Sequence, residues 1–245
     1  MRKISLWLAL AFWVGLAGTA SVASAAAPLA GEPKPLQLSV FTPIQMVPQE
    51  ESIRGVRLDL FYQVNKDVTG LDFSLFGVNR VTGDMAGVQL GLGNWVEGSS
   101  GGLQYGIVNY TAKRFVGWQA GLVSVTEGDF TGLQSGWVAW TEGFFHGWQD
   151  GFVTYSVGRF VGLQTGLVNI SKGEFTGAAI AGVNYAEGSV KGFQGGFVNY
   201  AGEMHGFQLG FVNITNSLDG LQIGLGNYNG KKEPFEFLPI VNWSF

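Results

Sequence analysis

The chain has no cysteine. Disulfide staples, thiolate metal sites and a lipid-modified cysteine are excluded, so an exported form would need another source of stability. Basic residues are few, 14 Lys and Arg against 18 Asp and Glu, which argues against nucleic acid as a partner. Histidine is scarcer still: His146 and His205 each stand just before a glycine and read as solvated residues beside turns, not as a metal or acid/base pair. Past Ala26 no stretch approaches the roughly 18 consecutive apolar residues of a membrane helix, so any membrane crossing would have to use strands. In excess are glycine, 39 of 245 residues, and aromatic residues at 14%.

The N-terminus stands apart from the rest. Met1, Arg2 and Lys3 precede the apolar run Ile4 to Ala17, and Ala23-Ser24-Ala25 forms an A-x-A cleavage site, so residues 1–25 read as a secretory signal peptide. Cleavage removes Arg2 and Lys3 and no acid, making the formal charge of −4 two units more negative. Residues 26–35, small residues and prolines, read as a flexible leader, and residues 36–245 as a single β-repeat domain.

That domain is organised around one unit, GLQTGLVNISKGEF at Gly162 to Phe175, written repeatedly at intervals of about 15 residues. Regular units begin at Gly87, Gly102, Gly117, Gly132, Gly147, Gly162, Gly177, Gly192, Gly206 and Gly220, and the array occupies residues 87–229. An irregular unit begins at Gly70, two lead-in strands precede it (Leu36 to Ile44 and Ile53 to Asn65), and a closing strand occupies residues 235–245. Glycine in the first and fifth slots, each costing about 1 kcal/mol in a helix interior, together with β-branched and aromatic neighbours, leaves strand as the reading. Turn sequences such as TEGD, SKGE and AEGS supply the corners.

Alternation puts the third-slot glutamines on one face: Gln89, Gln104, Gln119, Gln134, Gln149, Gln164, Gln194, Gln208 and Gln222. The second- and sixth-slot Leu, Trp or Phe and the eighth-slot Asn fall on the other. An amide moved from water into hydrocarbon without a partner costs roughly 4–8 kcal/mol, so the Gln face must be wet or mutually hydrogen-bonded. Two architectures meet that demand. One is an antiparallel outer-membrane barrel of about 14 strands with a Gln-lined lumen and an apolar face toward lipid. The alternative is a parallel β-solenoid in which Gln and Asn stack into amide ladders. Equal turn lengths favour the solenoid.

The C-terminus favours the barrel, which is the principal expectation: Phe237, Val241, Trp243 and Phe245 alternate with other residues and resemble a barrel-insertion signal. Its partners would be outer-membrane lipid and the barrel-insertion machinery. One conflict stands. Aligning Asn242 with the repeat asparagines puts the terminal aromatics on the Gln face, unless Pro239 marks a bulge or the faces are reversed.

From Pro35 to Phe245, the head PLQLSVFTPIQ, the G-[LFV]-Q-x-G-[LFI]-V-N array and the tail PFEFLPIVNWSF resemble a family of bacterial exported surface repeat-containing proteins. The resemblance implies an outer-membrane or cell-surface address and no catalytic residues. The expectation is a non-enzymatic protein without cofactor, metal or catalytic set, with a structural, pore-like or surface-interaction role. The alternative is a secreted solenoid acting as an adhesin or glycan-binding rod.

Departures fall inside the array. GAAIAGVN at Gly177 lacks the Gln, and Ser124, Ala139 and Thr154 replace the eighth-slot Asn, so an unbroken ladder is not expected there. Asp150 is the one carboxylate in the variable fourth slot, where a lipid-facing position would be costly. Trp118, Trp137, Trp140 and Trp148 read as an interfacial belt or packed core, with a carbohydrate platform as the sharper alternative. GLGN at Gly91 and Gly224 has no helix after it and so lacks the mechanism of a phosphate loop. The sequons at Asn109, Asn169, Asn213 and Asn242 recur because the repeat does.

Overall fold

Each unit of about 15 residues makes one full coil, and like residues pair with like in the next coil. Phe130–Thr141 lies parallel to Phe145–Ser156 with Gly132 beside Gly147, Gln134 beside Gln149 and Thr141 beside Ser156, and the same register holds on both sides of it. The chain is a parallel β-solenoid. The computed structural model describes residues 31–232 and 235–245; the signal peptide predicted over residues 1–25, and the leader as far as residue 30, lie outside the described residues. Strand structure begins at Lys34, two residues earlier than expected. Among the described residues there is no helix, and Glu32–Phe245 forms one compact unit.

This corrects the principal expectation of an antiparallel barrel. The repeat strands pair in parallel, and the strand order runs from Ile44–Gln45 at one end to Phe237–Ser244 at the other without closing. The physical reason lies in the corners. Pairing is interrupted at the sixth slot, since Gly136 pairs with Gly151 and Val138 with Val153 while Trp137 and Phe152 stand outside the ladder. In the early coils the bend is explicit: Val68–Ser74 and Val78–Val81 are separate strands, as are Met85–Leu90 and Gly93–Val96. Each coil thus folds over itself at the fifth and sixth slots and again at the turn residues, eleven to thirteen.

The two segments of a coil sandwich a narrow interior. Phe115, Phe130, Phe145, Phe160 and Phe175, in the fourteenth slot, are fully buried and stack with ring centroids 4.7–5.0 Å apart. Further along, Val190, Met204 and Leu218 continue that column. At the other end Val47, Ile53, Val68, Val81, Met85 and Val96 form a second apolar cluster. First-slot glycine is compulsory: a Cβ on Gly132 would lie 2.0 Å from the carbonyl oxygen of Gly117, at a φ of +130°. Coils can approach at strand spacing there only if the side chain is absent.

Both ends are capped. Lys34–Phe41 lies parallel to Ile53–Asn65, with buried Gln37 beside Arg57. At the far end Phe237–Ser244 runs antiparallel to the last coil, pairing Gln222 with Asn242 and Leu221 with Trp243. The register shifts between Gly224 and Asn227, opposite Pro239, so the bulge considered at that proline exists. Asn242 and Ser244 point inward while Phe237, Trp243 and Phe245 are exposed, which removes the face conflict: a reversed strand puts Asn242 over the Gln column.

Candidate interaction surface

The polar interior is structural. Gln104, Gln119, Gln134, Gln149 and Gln164 each donate Nε2–H to Oε1 of the glutamine one coil earlier, at 2.8–2.9 Å, and Gln208 and Gln222 do the same at 2.7 and 2.8 Å. The first of the series, Gln89, donates to Asp72 Oδ2 at 2.9 Å. None of these glutamines lines a lumen; all are buried, which meets the alternative condition of mutual hydrogen bonding. The column breaks at Ala179, the position where GAAIAGVN lacks its glutamine.

The eighth-slot asparagines share the same interior, because the corner at slots five and six returns the chain over itself. Straight-strand alternation had assigned them to the opposite face. They donate in the other direction, Asn94 to Asn109 at 2.8 Å, Asn169 to Asn184 at 3.0 Å and Asn213 to Asn227 at 2.8 Å, each time toward the later coil. Asn109 also donates to the fourth-slot carbonyl of Ala120 at 2.7 Å, and Asn184 to that of Gly195 at 2.9 Å. This satisfies carbonyls that the corner withdraws from the backbone ladder. Ser124, one of the replacements, still does so, donating to Ser135 O at 3.1 Å.

Two columns escaped the sequence reading: the Phe stack and the tenth-slot hydroxyls. Thr141 Oγ1 donates to Gln134 Oε1 at 3.0 Å and Ser171 Oγ to Gln164 Oε1 at 3.1 Å, across the interior. Their signal was present, since both recur at the repeat interval.

The apolar residues that cannot fit this interior lie outside. The sixth slot forms a ridge along one edge, with Trp137 and Leu225 each 70% exposed, Phe197 63% and Phe152 62%. Ring pairs Phe61–Phe76, Trp137–Phe152 and Phe197–Phe211 run along it at 5.3–6.4 Å. Where sixth-slot Gly182 leaves it bare and fourth-slot Gly195 leaves its flank bare, Ile180, Phe193, Phe197 and Leu209 border an apolar groove of about 900 Å³. Exposed contiguous apolar area beyond a few hundred Å² marks an interaction surface. Ionic groups gather at the opposite edge, in the turns, where Lys172 pairs with Glu187.

The four tryptophans do not make one platform. Trp118 and Trp148 lie on one face with their indole N–H groups on Ser135 Oγ (3.3 Å) and Thr165 Oγ1 (2.8 Å). Trp137 stands on the ridge, and Trp140 stacks on Tyr155 at 4.1 Å on the other face. Slot-nine phenols reach toward the turns: burial and a hydrogen bond with Glu127 push Tyr110 up, and Tyr228 Oη donates to Glu236 at 3.1 Å. Asp150 accepts from Thr165 Oγ1.

No group of three or more metal-binding side chains occurs among the described residues. His146 and His205 lie four coils apart, about 19 Å at strand spacing, and His205 faces Asp219 at 3.1 Å. No protein-family model, curated protein or solved structure matches the chain.

Proposed function

We propose that this chain is an exported, non-enzymatic surface repeat protein: a β-solenoid rod whose work is interaction through its apolar edge. The observation that carries the reading is the ridge itself. A side chain that recurs exposed, coil after coil, adds nothing to the interior, and Leu, Trp and Phe there are the wrong choice for a rod in water. The signal-like residues 1–25 and the resemblance to exported surface repeat proteins support the address. A pore-like role finds no support, since Phe, Gln, Asn and Thr fill the space between the sheets.

The test is expression of the full chain in a bacterium with an outer membrane, N-terminal sequencing of the product and protease treatment of intact cells. Expected are a mature N-terminus at Ala26 and digestion from outside. Uncleaved protein confined to the cytoplasm overturns the proposal. In planar bilayers the folded protein is expected to give no channel events, the opposite of what a Gln-lined barrel would do.

A further inference from the structure

Polarity changes in order with distance from the ridge. At the apex stand Leu122, Trp137, Phe152, Leu167, Phe197 and Leu225. One step down either flank are slots four and seven: slot seven is valine in most coils, as at Val138, Val153 and Val183, while slot four is aliphatic at Ile180, Leu209 and Ile223 and polar at Ser135, Asp150 and Thr165 in the central coils. The next step holds the amphipathic rings, Trp118 and Trp148 on one face and Tyr155, Tyr185 and Tyr200 on the other. Beyond them come the charged turns with Glu127, Asp129, Glu142, Arg159, Lys172 and Glu187. Aliphatic, then Trp and Tyr, then charge is the sequence of environments met on leaving a bilayer.

We propose that this edge inserts into one leaflet of a phospholipid bilayer, with the rod lying in the membrane plane and its turn edge in water. The inference deepens the surface-protein reading and rests on it only for where in the cell the bilayer lies. Depth agrees: two residues at about 3.3 Å separate slot six from slot four, so immersion to slot four is about 7 Å, within the 5–10 Å of interfacial binding. At that level Asp150, bonded to Thr165, sits near the headgroups and not in hydrocarbon. Shape selects lipid over a second copy. Where the sixth slot is filled the apex is one side chain wide, so a rigid partner would touch it along a line, whereas fluid acyl chains close around both flanks and also fill the groove beside Gly182.

The test uses the full chain with vesicles of phosphatidylcholine, and of phosphatidylethanolamine mixed with phosphatidylglycerol, carrying lipids brominated at mid-chain. Emission assigned to Trp137, by difference from Trp137→Phe, is expected to fall at least about twofold, and that of Trp140, by difference from Trp140→Phe, to fall less. Because this reads the ridge directly, vesicle binding through the apolar run Ile4 to Ala17 would leave Trp137 unquenched and overturn the proposal. In the variant Trp137→Ser, Phe152→Ser, Leu167→Ser, with β circular dichroism retained, affinity for vesicles is expected to drop at least about tenfold. With the charged edge in water, raising salt from ~0.05 to ~0.5 M should change binding less than about twofold.

Folded protein that does not bind vesicles, a triple variant that binds like the parent, or a lipid-free dimer abolished by the triple variant each refutes the inference. The last outcome would make a second copy the occupant. Vesicle results and cell fractionation are independent, so failure of export leaves the bilayer inference standing, and failure of binding leaves the address standing.

Discussion

Arg57 and Asp72 meet inside the solenoid at 2.7 Å with neither side chain exposed, on adjacent coils, in the column that glutamine occupies beyond them in every coil but that of Ala179. Arg57 Nε and Nη2 hold the two carboxylate oxygens, Gln63 and Gln89 donate to the same carboxylate, and Arg57 Nη1 reaches Arg80 O at 3.1 Å. The pair terminates the Gln column.

Removing one partner leaves a buried charge unpaired, so Arg57→Ala should cost about 3–5 kcal/mol in urea unfolding. The double variant Arg57→Gln, Asp72→Gln extends the amide column instead and is expected to stay within about 1 kcal/mol of the parent. A double variant as unstable as the single would show that the ion pair has a role beyond ending the column.

The amide column itself is testable at its gap. Gln149→Ala strands a donor on Gln164, while Gln134 Oε1 keeps the Thr141 hydroxyl as its donor, at an expected cost of about 1–3 kcal/mol. Ala179→Gln should do the reverse, joining the series that ends at Gln164 to the one that begins at Gln194 and adding about 1 kcal/mol. Chemical denaturation of both variants decides it.

Glycine positions separate into two kinds. Gly132→Ala forces a Cβ to 2.0 Å from Gly117 O and should reduce folding by more than about 3 kcal/mol. Gly101→Ala meets nothing nearer than Val116 O at 3.8 Å and is expected to change stability by less than about 0.5 kcal/mol. Thermal melts of the two variants should diverge accordingly.

Asp59 gives the fold a pH dependence. Burial, with smaller opposition from Ser74, pushes its carboxyl up from 3.8 to about 6. The folded state therefore binds the proton more tightly than the unfolded chain, and this group makes stability fall as pH rises from about 4 to about 6, with the loss complete above that. Asp59→Asn should flatten that slope and gain about 1–2 kcal/mol at neutral pH, less than the full shift because the replacing amide is itself buried and needs partners. A slope unchanged in the variant assigns it to another group.

The repeat interval, the glycine slots and the amide chemistry were all readable from residues, and the desolvation argument named the condition that holds, that the glutamines bond to one another. What misled was treating GLQTGLVN as one straight strand. Alternation is valid only between corners, and a corner at Gly166 and Leu167 carries Asn169 to the same side as Gln164. Glycine in the fifth slot marked that corner, but nothing in a single unit separates a bend from a close approach. The tail misled for a related reason: Phe237, Trp243 and Phe245 have the alternation of any strand with one covered face, and a cap on a solenoid has one as surely as a barrel strand does.

The two amide columns point opposite ways, Gln donors toward the N-terminal end and Asn donors toward the C-terminal end. Their dipoles therefore oppose, and the rod builds little axial field as coils are added, unlike a helix, whose aligned peptide units accumulate charge at its ends. Length carries no electrostatic penalty. A coil duplicated or deleted whole would leave every remaining joint as it was, so the extent of the ridge is free to follow the span of whatever it lies against.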